Sequence, residues 1–295
     1  MLKLEIHTLK PLFCPLVSFL FSIIFLTFAE VVQDLLPCVC SVFFKTITIP
    51  QMKNQLTLLI SLLLALTVQA QTGGKPQRWP SFLNLSQVPN GVAYLPAPPD
   101  TSSVQFLNDK ARFLWGKQQR LTARGREAVA DADQSVEALL RQFSPAMGFE
   151  MSRSSTPQLY ALVERLDTDG GNSIRKAKDH YRRPRPFVLF HDSTAIPEVE
   201  PRYRRTYSYP SGHSATGWCI ALVLAELNPL RQELILKRGY EIGESRVIAG
   251  FHYQSDVDAA RLAGSAVVAR LHADKKFQRQ LRRARKEVKK FTKGH

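Results

Sequence analysis

The residue types best suited to phosphate chemistry lie close together in the C-terminal third of the chain. Arg246, His252 and Asp256 fall within eleven residues, and Gly250 between them is expected to end a helix. A carboxylate beside a histidine accepts the Nδ1 proton, which fixes the tautomer and leaves the Nε2 lone pair free as a nucleophile. The planar guanidinium of Arg246 suits two-point contact with phosphate oxygens. The same residues also fit a surface cluster of ion pairs, so this group alone does not establish an enzyme.

A second group, Pro210-Ser211-Gly212-His213, stands directly before a strongly apolar run. The Ser211 hydroxyl and the unpaired backbone N–H groups at a helix start form a ready anion site, and Gly212 lets an oxyanion approach the backbone. His213 would stand beside that anion, where it can donate a proton to a leaving oxygen. The alternative for this group is an ordinary serine cap followed by an incidental histidine.

A third group is basic and contains the same spacing twice, a lysine separated by six residues from Arg-Pro. One copy pairs Lys176 with Arg183, and the other pairs Lys178 with Arg185. Lys178 lies on the apolar face of the predicted helix, whereas Lys176 points about 200° away from it, toward solvent. A lysine on a buried face needs an anion, so Lys178 and Arg185 are the predicted phosphate ligands. Lys176, Arg182 and Arg183 are interpreted as solvated charge.

The elements that must position these groups are all predicted to be helices, since no long run of strand-like alternation occurs. The predicted helices are 103–115, 122–140, 156–169, 172–181, 215–227, 230–249 and 256–272. Ser144-Pro145 is expected to close the second helix, Gly170-Gly171 to break the third, and Ser255 to cap the last. The pattern predicts an all-α fold, a compact single-domain helical bundle.

The N-terminal region contains a pattern typical of a secretory signal. Residues 52–70 combine a lysine, an apolar run and small residues before Gln71. Because such a signal normally begins at the initiating methionine and Met52 is one, residues 1–51 are predicted to be a mis-assigned upstream extension. The alternative retains them, since Pro15–Val32 is apolar enough to span a membrane. The first interpretation predicts a periplasmic protein that is exported by a cleaved signal peptide.

The exported chain then divides into an extended N-terminal arm at 71–102, a helical domain at 103–274 and a basic C-terminal tail at 275–295. The tail holds ten basic residues and one acidic residue, and the whole chain has a formal net charge of +15. Such a run is typical of a solvated helix, with attraction to anionic surfaces as the functional alternative.

Nothing in the chain offers base recognition, so no nucleic-acid partner is expected, and no membrane span is predicted in the mature chain. Cys219 is interpreted as a buried core residue, and a homo-oligomer is left open.

In their order along the chain, the three groups resemble the signature of the type-2 phosphatidic acid phosphatase superfamily. That signature is Lys-x6-Arg-Pro, then Pro-Ser-Gly-His, then Ser-Arg-x5-His-x3-Asp, and all three parts match without departure. From about Leu95 onward the chain is similar to the class A bacterial non-specific acid phosphatases. The likeness extends to the sequence around the motifs, as in AKDHYRRPRPF at 177–187, YPSGHSATGW at 209–218 and LKRGYEIGESRVIAGFHYQSDVDAAR at 236–261.

The resemblance implies the all-α fold of the phosphatidic acid phosphatase type 2/haloperoxidase type. It also implies an acid phosphatase without a metal cofactor that hydrolyses small phosphomonoesters with broad specificity, with phosphoryl transfer to other alcohols left open. His252 would attack phosphorus to give a phosphohistidine, Asp256 would orient it, and a protonated His213 would protonate the leaving alcohol. Five residues would hold the phosphoryl oxygens: Lys178, Arg185, Ser211, Gly212 and Arg246. We expect an acidic activity optimum, inhibition by vanadate and no inhibition by chelators.

Two other functions fit the same residues. The vanadate-dependent haloperoxidases resemble this chain at the signature positions, with vanadate in place of phosphate, although the short chain argues against them. A phosphate- or polyanion-binding protein without turnover is the alternative from outside the enzymes. Bromide oxidation in the presence of vanadate and peroxide distinguishes the first alternative, and the presence or absence of wild-type turnover distinguishes the second.

Overall fold

The structure, a computed structural model, describes residues 80–292, and within them all regular structure is helical, without a strand. The α-helices are α1 Val104–Gln119, α2 Ala123–Ala130, α3 Val136–Met147, α4 Pro157–Ser173, α5 Arg175–Tyr181, α6 Pro186–Leu189, α7 Glu200–Tyr203, α8 Gly212–Leu227, α9 Gln232–Ile248, α10 Gln254–His272 and α11 Lys275–Phe291. The predicted all-α fold is confirmed. The predicted upstream extension, the signal peptide and residues 71–79 of the arm lie outside the described residues.

Helix α8 forms the centre of the fold. It is apolar on every side, and Cys219, Ile220 and Leu224 are fully buried. A helix that is hydrophobic all round must be enclosed by other elements, and α8 packs against α4, α9 and α10. Ser211 caps its first turn by accepting a backbone N–H. The predicted buried helix is therefore confirmed, and it begins three residues earlier than predicted.

Helices α8 and α9 approach each other closely because glycines lie at their contact. A Cβ on Gly239 of α9 would overlap the Cβ of Ala221, and a Cβ on Gly217 of α8 would lie 2.7 Å from the Ile242 side chain. Neither position has room for a methyl group. The separation of the two helices that carry Ser211 and Arg246 at their ends is therefore set by glycine backbone that packs directly against side chains of the other helix.

The single helix predicted from 122 to 140 is wrong, because the structure has two helices with residues 131–135 between them. The Asp131 carboxylate turns inward, where it is paired with Arg238 of α9. Ser135 then caps α3 by accepting a backbone N–H of the following turn. The ion pair and the cap together stop α2 and restart the chain as α3.

Two predicted helix ends, at Ser144-Pro145 and at Gly170-Gly171, are also wrong. Helix α3 continues through Pro145 to Met147 and is followed by Gly148, which has a left-handed φ of 82°. Helix α4 runs through both glycines because the first of them meets α8. A Cβ on Gly170 would lie 2.8 Å from the Cα of Thr216, so this glycine permits close helix packing and does not break the helix.

In the loop between α9 and α10, the end of α9 agrees with the prediction, whereas the start of α10 does not. Helix α9 ends before Gly250, as predicted, and this residue takes a positive φ of 85°. The prediction that Ser255 caps α10 is wrong, because α10 begins at Gln254. Asp256 in the first turn accepts the Tyr253 N–H at 2.9 Å, while the Ser255 hydroxyl donates to Asp109 at 2.6 Å.

The segment expected as a basic tail forms α11, an amphipathic helix with one face in the core. Its buried face carries Phe277, Leu281, Ala284 and Val288. Glu287, its one acidic residue, turns inward and accepts the backbone N–H groups of Gln158 and Leu159 in the first turn of α4. The exposed face carries Lys275, Lys276, Arg279, Arg282, Arg283, Lys286, Lys289 and Lys290.

The arm, from residue 80 to 102, contains two short 3-10 turns and is attached to the helices by a carboxylate. Asp169 of α4 accepts the backbone N–H groups of Phe82 and Leu83. Among the helices of residues 80–292, none combines the length and the hydropathy that a membrane span requires.

Candidate active site

Four segments supply the eight predicted site residues: the start of α8, the end of α9 with the loop after it, the first turn of α10, and the chain from α5 to α6. The Ser211 N–H donates to the Asp256 carbonyl oxygen at 3.1 Å, which joins the starts of α8 and α10. Arg185, just before α6, reaches His252 in the loop after α9. The eight residues are Lys178, Arg185, Ser211, Gly212, His213, Arg246, His252 and Asp256.

His252 is buried and is held in one tautomer by its neighbours. Its Nδ1 lies 3.2 Å from Asp256 Oδ2, and its Nε2 lies 3.1 Å from Arg185 Nη1. A guanidinium can only donate, so Nε2 accepts and carries the lone pair while Nδ1 carries the proton. The backbone N–H groups of Phe251 and His252 both donate to the Arg246 carbonyl oxygen, which fixes this loop to the end of α9.

Asp256 is fully buried, and its carboxylate is surrounded by donors. Oδ2 accepts from His252, from the Tyr253 N–H at 2.9 Å and from the Ser208 hydroxyl, while Oδ1 accepts from Arg183 at 2.7 Å. With donors on both oxygens, the carboxylate has a fixed orientation relative to the imidazole. Ser208 also lies 3.3 Å from His252 Nδ1.

The interpretation of Arg183 as solvated charge is wrong. Only 7 % of this residue is exposed, and its guanidinium is paired with Asp256 and Asp109. Lys176 and Arg182 are exposed, as predicted. The helical-phase argument could not place Arg183, because α5 ends at Tyr181 and the chain then changes direction.

Lys178 is held beside the connector between α7 and α8. Its Nζ donates to the carbonyl oxygens of Tyr207 at 2.8 Å and Ser208 at 3.2 Å. Burial, with the charge of Arg185 nearby, lowers the pKa of Lys178 to about 7. The ammonium is therefore charged at acidic pH and begins to lose its proton near neutrality.

Arg185 is anchored to the loop after α9 and to the connector before α8. It donates to the Phe251 carbonyl oxygen at 2.9 Å, to the Tyr207 carbonyl oxygen at 3.1 Å and to the Thr206 hydroxyl. Burial, together with the nearby charge of Arg246, lowers the pKa of Arg185 to about 10. It stays a cation throughout the acidic range, with one N–H directed at His252 Nε2.

Arg246 is the largest fully buried side chain, with 1 % of its surface exposed. Its Nε and Nη1 have no hydrogen-bond partner among the described residues, and its guanidinium lies 4.7 Å from the centre of the Phe251 ring. Burial lowers the pKa of Arg246 to about 10. Buried donors normally have acceptors, so this guanidinium fits an anion in the pocket.

The start of α8 supplies a cap, an open position and a histidine. The Ser211 hydroxyl accepts from Ser214 Oγ at 2.8 Å, and the Cβ position of Gly212 has no atom within 4 Å. His213 Nε2 lies 3.3 Å from the Ala132 carbonyl oxygen.

The surroundings of His213 and His252 disfavour the protonated form of both imidazoles. Burial, with the nearby charges of Arg246 and His252, lowers the pKa of His213 well below its usual value, and burial with the neighbouring cations does the same for His252. Without an anion beside them, the neutral form of both imidazoles is therefore favoured. A bound phosphate would raise both pKa values.

Sequence reasoning missed Asp109, Arg183, Thr206 and Ser208. Arg183 belonged to the rejected copy of the lysine–arginine spacing, so its signal was present. The other three lie outside the three groups of site residues, because they contact the site from α1 and from the connector before α8. Within residues 80–292, no group of three or more His, Cys, Asp or Glu side chains is placed to hold a metal ion.

Comparison with known proteins gives consistent results. The family model described as the PAP2 superfamily matches residues 166–279, which include all three groups of site residues. The non-specific acid phosphatase of Providencia stuartii is 43 % identical over 213 residues, which cover 72 % of this chain and 86 % of that protein. That of Salmonella typhimurium is 42 % identical over 200 residues, which cover 68 % and 80 %. The acid phosphatase of Zymomonas mobilis is 34 % identical over 199 residues, which cover 68 % and 75 %.

Proposed function

The chain belongs to the PAP2 superfamily, as a class A non-specific acid phosphatase, and we propose that it works through a phosphohistidine formed on His252. The protein is a broad-specificity acid phosphatase that hydrolyses phosphomonoesters. The observation that carries the proposed mechanism is the tautomer of His252, whose Nε2 lone pair faces the cations of the pocket.

The phosphoryl group binds among Lys178, Arg185 and Arg246. The unpartnered Nε and Nη1 of Arg246 give it two donors for phosphate oxygens. The Gly212 N–H, at the open start of α8, adds a backbone donor and the positive end of the helix dipole. These groups stabilise the charge that spreads over the equatorial oxygens in the transition state.

In the first step, His252 Nε2 attacks phosphorus while the bond from phosphorus to the ester oxygen breaks. Arg185 moves its N–H from Nε2 to a phosphoryl oxygen, which frees the lone pair. The leaving alkoxide takes a proton from His213, and Asp256 stabilises the imidazolium of the phosphohistidine through Nδ1–H. In the second step, water gives a proton to His213 and attacks phosphorus, the N–P bond breaks, and inorganic phosphate leaves.

His213 obtains its proton with the substrate. Its Nε2 lies 3.3 Å from the Ala132 carbonyl oxygen, and its Nδ1 has no hydrogen-bond partner among the described residues. A phosphomonoester that binds as the monoanion below its second pKa of about 6 brings both a proton and a negative charge that raises the pKa of His213. This coupling favours turnover at acidic pH.

Trapping the intermediate tests this mechanism. We expect acid-labile, base-stable label on His252 after a short reaction with a ³²P-labelled phosphomonoester. His252→Ala should lose at least about 10³-fold in kcat and all label while keeping its melting temperature. His180→Ala is the matched control, because His180 is exposed on α5, and it should behave as wild type. Label on another residue would overturn the mechanism, and bromide oxidation with vanadate and peroxide would support the haloperoxidase alternative.

We also propose that the protein is exported to the periplasm with cleavage before Gln71. The support is the lysine, apolar run and small residues of 52–70. N-terminal sequencing of protein from the periplasmic fraction should begin at Gln71. A mature form that retains residues before Gln71 would refute this cleavage site.

A further inference from the structure

Arg183 connects two buried carboxylates behind the proposed nucleophile. Its Nη1 donates to Asp256 Oδ1 at 2.7 Å and to the Ser255 hydroxyl at 2.7 Å, and its Nη2 donates to Asp109 Oδ2 at 2.8 Å. The guanidinium lies 3.8 Å from the centre of the Tyr253 ring. Both terminal nitrogens of the guanidinium are therefore engaged by the protein.

Asp109 is fixed just as firmly on the other side. It is fully buried on α1, and besides Arg183 it accepts the Ser255 N–H at 2.8 Å and the Ser255 hydroxyl at 2.6 Å. Asp109 thus ties α1 to the first turn of α10, next to Asp256. The connection runs from Asp109 through Arg183 and Asp256 to His252.

The two oxygens of Asp256 have separate tasks in this arrangement. Oδ1 faces Arg183, while Oδ2 faces His252. Oδ2 takes part in three hydrogen bonds, whereas Arg183 is the one donor to Oδ1 among the described residues. Without that donor the carboxylate could rotate away from the imidazole, and the Nδ1–H of His252 would lose its fixed acceptor.

We propose that Arg183, held by Asp109, is a positioning residue that keeps the carboxylate of Asp256 oriented toward His252. This inference rests on the proposed role of His252 as the nucleophile. Arg183 does not hold phosphate, since its donors face Asp109, Asp256 and Ser255. Its loss should therefore slow the attack on phosphorus while leaving phosphate affinity nearly unchanged.

The experiment compares Arg183→Met, Arg183→Lys and Asp109→Asn with wild type. We measure kcat for a chromogenic phosphomonoester, the Kd of inorganic phosphate by calorimetry, and the melting temperature. For Arg183→Met we expect kcat to fall about 10²-fold, the size expected for a small misplacement of a reacting group, with Kd changed by less than about threefold. Arg183→Lys keeps a cation and should recover at least a tenth of wild-type kcat. Asp109→Asn should fall between the two.

Arg182→Met is the matched control, because Arg182 is the exposed neighbour in the same segment, and its kcat should match wild type. If Arg183→Met does not fold, the comparison of Arg183→Lys and Asp109→Asn with wild type decides, since the first keeps the cation and the second keeps the shape of the side chain. Folded Arg183 variants with wild-type kcat and a lower melting temperature would overturn the inference and leave a structural role only. A wild-type enzyme without phosphohistidine would instead refute the proposed mechanism.

Discussion

At the scale of single residues, the site gathers positive charge around a neutral histidine. Lys178, Arg185 and Arg246 are all partly or fully buried, and each has a lowered pKa because burial disfavours its charge. The cost of burying these charges falls when an anionic phosphoryl group enters the site. Burial and the same charges lower the pKa of His252, which favours the neutral imidazole that a nucleophile needs.

Lys178 should limit activity on the alkaline side. Its pKa is lowered to about 7, so the cation that attracts phosphate is fully present below that pH and is lost as the pH rises through it. We expect kcat/KM of wild type to exceed that of Lys178→Met by roughly 10–10²-fold at pH 5.5 and the ratio to approach one by pH 9. This ratio is measured by a pH series of kcat/KM, with Lys176→Met as the control because Lys176 is exposed. A ratio that is constant from pH 5 to 9 would contradict this assignment.

Gly212→Ala should lower activity without lowering stability. The methyl group would enter space that is empty of protein atoms where we place the phosphoryl group, so the fold is unaffected while kcat/KM falls at least about tenfold. Gly171→Ala is the control, because its Cβ position in α4 is also open. It should retain activity and gain about 0.5–1 kcal/mol in unfolding free energy. A fully active Gly212→Ala enzyme would exclude the start of α8 from phosphate binding.

The sequence was sufficient to predict which side chains come together where a short spacing along the chain places them. His252 and Asp256 are four residues apart across a helix start, and Ser211 caps a helix, so local geometry brings them into place. Arg183 and Asp109 could not be found in this way. Their partnership depends on the chain reversal after α5 and on the packing of α1 against α10, neither of which has a local signal.

At the scale of the elements, the site depends on how closely α8 and α9 approach. The two helices present opposite ends to the pocket, Ser211 at the start of one and Arg246 near the end of the other. A side chain at their contact would change the distance between these ends. Packing at a position remote from the phosphate therefore contributes to the geometry of the site.

Gly239→Ala should destabilise the protein, because its Cβ would overlap the Cβ of Ala221. We expect a loss of about 1–3 kcal/mol, seen as a lower urea midpoint at an unchanged slope. Leu234→Ala on the exposed surface of the same helix serves as control and should change the midpoint much less. An unchanged midpoint for Gly239→Ala would show that α9 can shift without cost.

Helix existence was predictable from apolar spacing, whereas several helix ends were not. The end of α9 at Gly250 follows from a residue that favours positive φ. By contrast, the break at 131–135 arises from the distant partner Arg238, and the continuation through Gly170 arises from contact with Thr216. Tertiary contacts override local preference at these positions.

At the scale of the whole molecule, α11 is both a basic surface helix and part of the core, and the sequence pattern indicated only the first. Its cations face solvent, yet its other face completes the core, and Glu287 holds the start of α4. The charge density of 275–295 obscured the apolar stripe, because the pattern of four buried residues is spread over a mostly basic segment.

Removal of residues 275–295 should therefore destabilise the protein severely. The buried side chains of Phe277, Leu281 and Val288 would be lost, which together cost at least about 4 kcal/mol, along with the acceptor for the α4 N–H groups. The paired substitution Arg282→Gln/Arg283→Gln should leave the melting temperature within a few degrees, because both side chains are exposed. Thermal unfolding measures both, and a truncated protein with wild-type stability would contradict the packing of α11.

The buried cysteine at the centre of α8 has a practical consequence. Cys14, Cys38 and Cys40 precede Gln71, so a protein cleaved there carries Cys219 as its one thiol. Burial raises the pKa of the Cys219 thiol, and no part of the residue is exposed. A thiol reagent can then react only during excursions that separate α8 from its neighbours. The rate of labelling would thus report the free energy of core opening in the native enzyme, without any engineered probe, with and without bound phosphate.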